Sequence, residues 1–574
     1  MQQFSSALAP ISVEESARPE GFPDAPGHEA SELSAALGVS STMAGWLLAS
    51  GRTDVDATRR FLNPKLGELT LPDAMVDRKP AAERLASAIR RHERIAVFGD
   101  YDCDGMTSAA ILSEVLRAFG GEVTTLLASR FDGGYGVSGP ALERVFAASP
   151  GLLVTCDCGS SDHESLATAK RRGVDVIVID HHLVPEEPLP ALAFLNPHRP
   201  ECGFPYKGLA SCGLALSVAA ALRAELGQKL DLRAWLDLVA IGTIADVAPL
   251  DGDNRALVRA GLRALGEARR PGVRALLDLA RIEPGAPLSA EDVSYRLAPR
   301  LNAPGRLAAP DLAVALLLAK SADEAQVLAA EIEQRSVERR ALQDQMLAEA
   351  QAAIESERWD ERPAIVVGRQ GWNHGIVGIV AGRLASRFER PVVAIGFDGA
   401  RGRGSVRGPK GARLHDALTL AKDALVRFGG HQAAAGVELE WEKLGEFRER
   451  FEAACASQET IASSSPESSR PLVAFAPGDD PRAVLSDLAL LEPCGDGNPQ
   501  PDVALEARLI HAREVTGGHL KLELDVSGGR LGAFGVNMGD RAAGLSGTVF
   551  VSGKLRPDRF RGGNAVELKL ERIY

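Results

Sequence analysis

The stretch ERIAVFGDYDCDGMTSAAILSEVLRAF, residues 93–119, decides how the chain is read. ERIAVFGD has the length and apolar content of a buried strand, and MTSAAILSEVLRAF has the spacing of an amphipathic helix. Between them, GDYDCDG (Gly99–Gly105) sets Asp100, Asp102 and Asp104 at every second position. Three carboxylates this close repel one another, so something must compensate them. Calcium in an EF-hand loop is one solution, because the Asp-x-Asp-x-Asp-Gly opening matches. That loop needs a bidentate glutamate at its twelfth position, which here is Ile111, and a helix rather than a strand before it. The calcium reading fails on both counts. A catalytic divalent-metal centre completed further along the chain is left.

The alternation continues. EVTTLLA (122–128), GLLVTCD (151–157) and VDVIVID (174–180) read as strands, and HESLATAKRRG (163–173) as a helix. Strands alternating with helices predict an α/β fold with a mostly parallel sheet covered on both faces. Residues 1–45, rich in Pro, Ser, Ala and Glu, read as an irregular N-terminal arm, and 46–310 as the catalytic domain. Residues 311–358 form a connecting helical segment, either one long helix or a hairpin. PAIVVG (363–368) opens a second, smaller α/β domain over 359–456. A polar, low-complexity linker covers 457–470. The short alternating runs of 471–574 predict a small β-barrel.

With 574 residues, 45% of them apolar and 25% charged, the composition is that of a globular protein with several domains. The net charge of −12 excludes a global basic field, so any polyanion must bind in a local basic groove. Seven cysteines, an odd number in a large chain, argue against a disulfide framework. The Cys156-x-Cys158 pair reads as small core residues, since a zinc site needs more ligands at other spacings. No basic patch followed by an apolar run stands at the N-terminus, and no stretch has bilayer-spanning length. A reducing cytoplasm and no membrane association are expected.

The acidic set grows along the chain. Asp157 ends GLLVTCD, Asp180 ends VDVIVID and is followed by His181 and His182, and Asp246 ends AWLDLVAIGTIAD (234–246). One strand-terminal aspartate is ordinarily a turn or helix cap. Four separate strand ends, with a tripled aspartate at the first, are hard to explain by capping. In open parallel sheets ligands bind at the carboxyl ends of the strands, so all these groups are expected on one rim. Mixed carboxylate and imidazole donors suit manganese or magnesium, and this many carboxylates suit two ions. Two ions ~3.5–4 Å apart activate water and stabilise a leaving oxygen in phosphoester hydrolysis.

On these motifs the sequence resembles the DHH phosphoesterase family. DYDCDG, Asp157, the Asp180–His182 triplet and Asp246 match its four motifs in order. SRFDGGYGVS (129–138), APRLNAPGR (298–306), GWNHGIVGIVAGRL (371–384), GSVRG (404–408), FGGHQAAAG (428–436) and LEPCGDGNPQP (491–501) resemble the branch of single-strand-specific 5′→3′ DNA exonucleases. The resemblance runs from about residue 50 to the C-terminus, and no further C-terminal domain is expected. It implies a parallel-sheet DHH domain, a connecting helix, a DHH-associated nucleic-acid-binding domain and a C-terminal OB-fold. It implies Asp102, Asp104, Asp157, His181 and Asp246 as ligands of two Mn2+ or Mg2+ ions, with Asp157 bridging and Asp100 assisting. His182 is implied as general acid or electrostatic stabiliser and Asp180 as the group that orients an imidazole. The implied partners are single-stranded DNA, a single-strand-binding protein and a helicase, with the chain a monomer.

Nucleic-acid contacts are expected in four places. RGRGSVRGPKGAR (401–413) carries Arg401, Arg403, Arg407, Lys410 and Arg413 with no acid, and Ser405 among them. Its glycines are expected to let the backbone approach a phosphate. Gly429, Gly430 and His431 lie on a second glycine turn, and Trp372 and His374 in a similar setting; each histidine is alternatively a core or capping residue. Arg130, Arg300, Asn302 and Arg306 are placed by the resemblance near the scissile end, where a bidentate guanidinium suits a phosphate. On the barrel, Lys521, Phe534, Lys554, Arg556, Arg559 and Phe560 are candidates, although Phe534 also reads as core. Gly408 stands where related sequences often have serine, removing a hydroxyl contact. Two rival functions remain: a phosphoesterase acting on short oligonucleotides, and a DNA-binding scaffold with a decayed site. The terminal barrel argues against the first and the intact acidic set against the second.

Overall fold

A computed structural model of the chain describes residues 18–131, 135–307, 309–432, 434–458, 472–526, 529–558, 561–562 and 565–574. Two compact units are present, one made of the residues up to Lys65 with Pro466–Tyr574, the other of Leu66–Ser465. All seven cysteines are free and five are buried. Among the described residues no helix is long and apolar enough to cross a membrane.

In the larger unit, β1 (Arg94–Gly99), β2 (Glu122–Leu127), β3 (Leu152–Cys156), β4 (Asp175–Ile179) and β5 (Ala193–Leu195) form an all-parallel sheet in the order β2-β1-β3-β4-β5. Alternate side chains feed two cores. Ile95, Val97, Leu152, Val154, Ile177 and Ile179 join one, while Ala96, Phe98, Leu153, Val176 and Val178 join the other. Burial on both faces is why these strands read as unbroken apolar runs. The strand order reverses between β1 and β3, and at such a switch point the crevice lies beyond the carboxyl ends. Asp100, Asp157 and Asp180 each stand one residue past the end of β1, β3 and β4.

The fourth carboxylate arrives differently. AWLDLVAIGTIAD is not a strand. Leu236–Ala245 is a helix buried from Leu236 to Ile244, with Asp246 at its C-cap. A helix apolar all round has no amphipathic period to betray it, so its sequence looks like a buried strand.

The connecting segment is neither one helix nor a simple hairpin. A short helix, Asp311–Leu318, ends before Ser321, whose side chain caps the 35-residue helix Ala322–Ser356 by accepting from the Glu324 N–H. Beyond it, β6 (Ile365–Gln370), β7 (Val392–Asp398), β8 (Arg401–Arg407), β9 (Arg427–His431) and β10 (Ala434–Glu440) form a second sheet in the order β6-β7-β8-β10-β9. Only β6 and β7 are parallel.

In the smaller unit, β11 (Leu472–Ala474), β12 (Asp502–Val515), β13 (His519–Val526), β14 (Gly529–Gly535), β15 (Thr548–Pro557) and β16 (Val566–Ile573) follow the order β11-β12-β13-β14-β16-β15. Pairing of β12 with β15 closes five of them into a barrel, as the alternating runs predict. The N-terminal arm is not irregular throughout. His28–Leu37 and Ser41–Ala49 are helices, divided by Gly38 in the left-handed region, with Ser40 capping the second. Ala30, Leu33, Met43, Trp46 and Leu47 are buried in the same core as Val503, Leu520 and Val551 of the barrel. The Ser- and Ala-rich composition masks their helical spacing. The expected linker falls largely on residues 459–470, outside the described residues.

Candidate metal centre and basic cleft

The GDYDCDG turn works because its ends are glycines. A Cβ on Gly105 would lie 2.5 Å from the Asp100 nitrogen, so only glycine lets the helix Cys103–Ala118 start directly against the end of β1. Asp102 is that helix's N-cap and accepts from the N–H groups of Asp104 (3.0 Å) and Gly105 (3.2 Å). Asp104 turns the other way and serves a second helix. Its two oxygens accept from the N–H groups of Ser211 (2.7 Å) and Cys212 (2.9 Å), the first turn of Ser211–Leu226. That helix has Ala210 at its N-cap and no side-chain cap of its own. Asp100 has no such help. It is buried, its Oδ1 has no hydrogen-bond partner, and burial with the charge of Asp102 pushes its pKa well up.

Asp157 is held in the left-handed region, φ 63°, directly after β3, and its Oδ1 accepts from the Ser211 hydroxyl at 3.0 Å. Burial and the neighbouring Asp104 raise its pKa. His181 Nε2 stands 3.3 Å from Asp157 Oδ1, 3.6 Å from Asp246 Oδ2 and 4.0 Å from Asp104 Oδ2, yet makes no hydrogen bond. Burial lowers its pKa, so a neutral ring is favoured. Asp246 is pushed up to about 8 by burial and by Asp104 and Asp102. Three ligand sets each gather within 4.8 Å: Asp100 with Asp102 and Asp157, Asp104 with His181 and Asp246, and Asp157 with His181 and His182. Asp157 and His181 each belong to two of the sets. Oxygen-rich donors, raised carboxylate pKa values and the partnerless Asp100 Oδ1 and His181 Nε2 fit divalent cations.

Asp180 is a different kind of carboxylate. Its Oδ1 accepts from the N–H groups of His181 (2.8 Å) and His182 (3.2 Å) and from His182 Nδ1 (2.7 Å); its Oδ2 accepts from the Ser160 N–H (3.1 Å). Burial opposes its charge, but these donors win and hold its pKa below the usual value. His182 therefore carries its proton on Nδ1. Burial works against a charged ring, yet Asp180 outweighs it and brings the His182 pKa to about 9. Tyr135, which sequence reasoning did not single out, lies with its hydroxyl 3.1 Å from His182 Nδ1 and donates to the Asp157 carbonyl at 3.1 Å. Ser211 was missed for the same reason: both meet the site only through the tertiary fold.

Beside this centre is a cleft of ≈ 680 Å³ whose lining includes Arg130, Arg306, His374, Ser405, Arg407 and Gly430. Arg130 stacks 3.8 Å over the Tyr101 ring. Arg306 is held near Gly375, to whose carbonyl it donates at 2.9 Å, and burial with Arg130 lowers its pKa to about 10. Arg407 donates to the Ser405 hydroxyl at 2.8 Å, and burial and Arg130 lower its pKa too. None of these three guanidiniums has a carboxylate within 4.0 Å among the described residues. The glycines of β8 play another part than expected. Arg403, Ser405 and Arg407 share one face, while Gly402 and Gly404 turn to the core side chains Phe397 and Ile395, where a Cβ would clash. The acid missing from RGRGSVRGPKGAR comes from the next strand: buried Glu438 lies 2.7 Å from Arg427, 3.6 Å from Arg401 and 3.9 Å from Arg403.

Of the other candidates, Arg403 and Gly429 also line the cleft, and several stand outside its lining. Arg300 is occupied by Glu333 (2.9 Å) and the carbonyls of Arg296 and Leu279. Trp372 is buried and donates to Glu349 at 2.8 Å, a core role. Asn302 keeps a buried Oδ1 without a partner. Gly429 joins Gly430 in the cleft, and the His431 side chain, like Arg559 and Phe560, lies outside the described residues. On the barrel, Lys521 pairs with Phe534, Phe534 with Lys569 and Lys569 with Lys554, one row across four strands. Lys569 is the member that sequence reasoning missed. Arg556 is held by Glu567.

The DHH family N-terminal domain matches residues 94–243, the DHHA1 domain 361–457 and the RecJ OB domain 478–572. The single-stranded-DNA-specific exonuclease RecJ of Bacillus subtilis is 35% identical over 522 residues, covering 89% of this chain and 65% of that protein. The RecJ of Dickeya dadantii is 37% identical over 527 residues, covering 86% of this chain and 90% of that protein. The crystal structure of Thermus thermophilus RecJ in complex with Mn2+ superposes with a TM-score of 0.79 at 32% identity, covering 96% of this chain and 78% of that one. Identity at this level over most of the chain, together with the three matched domains, makes the chain a member of the RecJ family of DHH proteins.

Proposed function

We propose that this protein is a metal-dependent exonuclease that degrades single-stranded DNA processively from the 5′ end to 5′-mononucleotides, in DNA repair and recombination. The observation that carries the reading is the meeting of Asp100, Asp102, Asp104, Asp157, His181 and Asp246 at the carboxyl ends of the strands, beside a cleft in which Arg130, Arg306 and Arg407 have no carboxylate within 4.0 Å among the described residues. The relatives' printed names supply the substrate, and RecJ crystal structures with Mn2+ and with Mg2+ supply the cofactor class.

Two divalent ions would supply Lewis acidity and a water acidified enough to attack phosphorus. Asp100, Asp102, Asp104, Asp157, His181 and Asp246 would hold them. Asp180 fixes the His182 ring through Nδ1 and leaves Nε2 to face a phosphoryl oxygen. With a pKa of about 9 that ring is charged at neutral pH, and it stabilises developing charge or gives up a proton there. Arg130, Arg306 and Arg407 grip phosphates next to the centre and suit a terminal 5′-phosphate. The row of Lys521, Phe534, Lys569 and Lys554 suits a single strand on the barrel. A site that takes one strand needs a separate helicase to open duplex, and a single-strand-binding protein is its natural companion on the substrate. A monomer acting in the cytoplasm, where the chromosome is, completes the reading.

A digest of end-labelled single and double strands with manganese or magnesium tests it. Release of labelled mononucleotide from the 5′ end of single strands alone is expected. Preference for a dinucleotide over a long strand would favour the short-oligonucleotide reading, and binding without release would favour the scaffold.

Asp157→Ala is expected to lower kcat by about 10³-fold or more while single-strand affinity stays within about threefold, because the grip and the metal centre are separate groups of residues. Equal loss of both in activity and anisotropy assays would contradict that division. Arg407→Ala should weaken binding and reduce the slope of log K against log salt by about one phosphate contact; an unchanged slope removes Arg407 from the groove.

The metal-free protein should lose thermal stability as pH rises from 6 to 9. Asp246, at about 8 when folded against 3.8 ordinarily, binds its proton more tightly in the folded state, so that stabilisation disappears as pH climbs through 8. His182, raised to about 9, acts in the same direction. Added Mn2+ should restore the Tm at pH 8–9, and a Tm that does not change with pH or metal would show that the carboxylates are not coupled to ions.

A further inference from the structure

Val247 has a backbone conformation ill suited to its side chain. Its φ is 61°, and among the described non-glycine residues with positive φ it alone is β-branched. It closes the helix Leu236–Ala245 in a pattern usually reserved for glycine: its N–H donates to Ile244 O at 3.2 Å, and that of Ala248 to Thr243 O at 3.2 Å. A branched Cβ in the left-handed region crowds the adjacent carbonyl, and such strain persists only where something else requires it. Packing does not require it, because the side chain is 69% exposed.

Its position does. Val247 follows Asp246, whose carboxylate lies 3.6 Å from His181 Nε2. Leu183, 68% exposed, follows His182 in the same way and lines a cavity of ≈ 840 Å³ together with His181, His182 and Phe194. Two exposed apolar side chains thus each stand one residue along the chain from a group of that centre. The ligands and the cleft guanidiniums can address phosphate only. A nucleotide beside the scissile bond also brings a deoxyribose and a base, whose faces are apolar whatever the sequence.

We propose that Val247 is a substrate-binding residue that forms, with Leu183, an apolar lip against the sugar and base of a nucleotide flanking the scissile phosphate. The strained turn is what presents it there. The nature of the ligand rests on the exonuclease reading.

The full-length protein is compared with Val247→Gly, Val247→Asn and Val247→Ile, using single-stranded oligonucleotides that are intact or abasic at the first or second nucleotide. Relief of the left-handed strain should raise the Tm of Val247→Gly by about 1–3 °C. Its KM should rise about fivefold, with kcat within about twofold, since an apolar contact of this size is worth up to tenfold in affinity. Val247→Asn should show the same loss and Val247→Ile should keep wild-type KM. The difference between wild type and Val247→Gly should vanish on one of the two abasic strands. A Val247→Gly protein with wild-type KM on the intact strand overturns the lip. If the wild type releases no nucleotide, the exonuclease reading fails, and single-strand affinity by anisotropy decides the lip instead: a fivefold loss in Val247→Gly supports it and equal affinity overturns it.

Discussion

Six carboxylates cannot share the rim of one sheet in water's absence unless other dipoles and charges answer them, and the whole larger unit is arranged around that demand. Part of the answer is backbone. Asp102 caps the helix it begins, Asp104 caps a helix that lacks a cap of its own, and Asp180 accepts four donors. Each of these three carboxylates accepts N–H groups aimed at it, and for Asp180 they outweigh burial and lower the pKa. Asp100, Asp157 and Asp246 receive far less, and burial with mutual repulsion raises all three pKa values. Asp104 is raised as well, by burial, despite its two N–H donors, so backbone dipoles alone do not answer the charge of the set.

The cleft obeys the opposite rule. In a chain of net charge −12, Arg130, Arg306 and Arg407 stand together with no carboxylate within 4.0 Å among the described residues, and burial, with Arg130 beside them, lowers the pKa values of Arg306 and Arg407. One strand away, Glu438 collects Arg401, Arg403 and Arg427. The same basic strand therefore has Arg401 and Arg403 near a protein carboxylate and Arg407 without one among the described residues. Sequence reading could not see the split, because Glu438 sits 35 residues beyond Arg403 and comes beside it only through pairing of β10 with β8.

What was legible followed from local pattern. β1, β3 and β4 are continuous apolar runs that stop on aspartate, and both their type and their shared rim could be read from that. Asp246 was placed correctly on an element of the wrong kind, since a fully buried helix and a buried strand write the same letters. The glycines of β8 looked like room for phosphate and prove to be room for Phe397 and Ile395. Trp372 and Arg300 looked like contacts and are committed to Glu349 and Glu333. Tyr135 and Ser211 were invisible because nothing in their own neighbourhood marks them. Their roles exist only once distant segments are packed side by side.

The saturation of Asp180 limits which replacement counts as mild. Every donor around it is an N–H, and none of its lone pairs faces a group able to accept in return. Asparagine has the same outline but must turn its NH2 toward either the histidine pair or the Ser160 amide, setting donor against donor in a buried place. Shape alone therefore does not make a substitute at this position: the imidazole that depends on it would lose the carboxylate oxygen that accepts from its Nδ1 and raises its pKa.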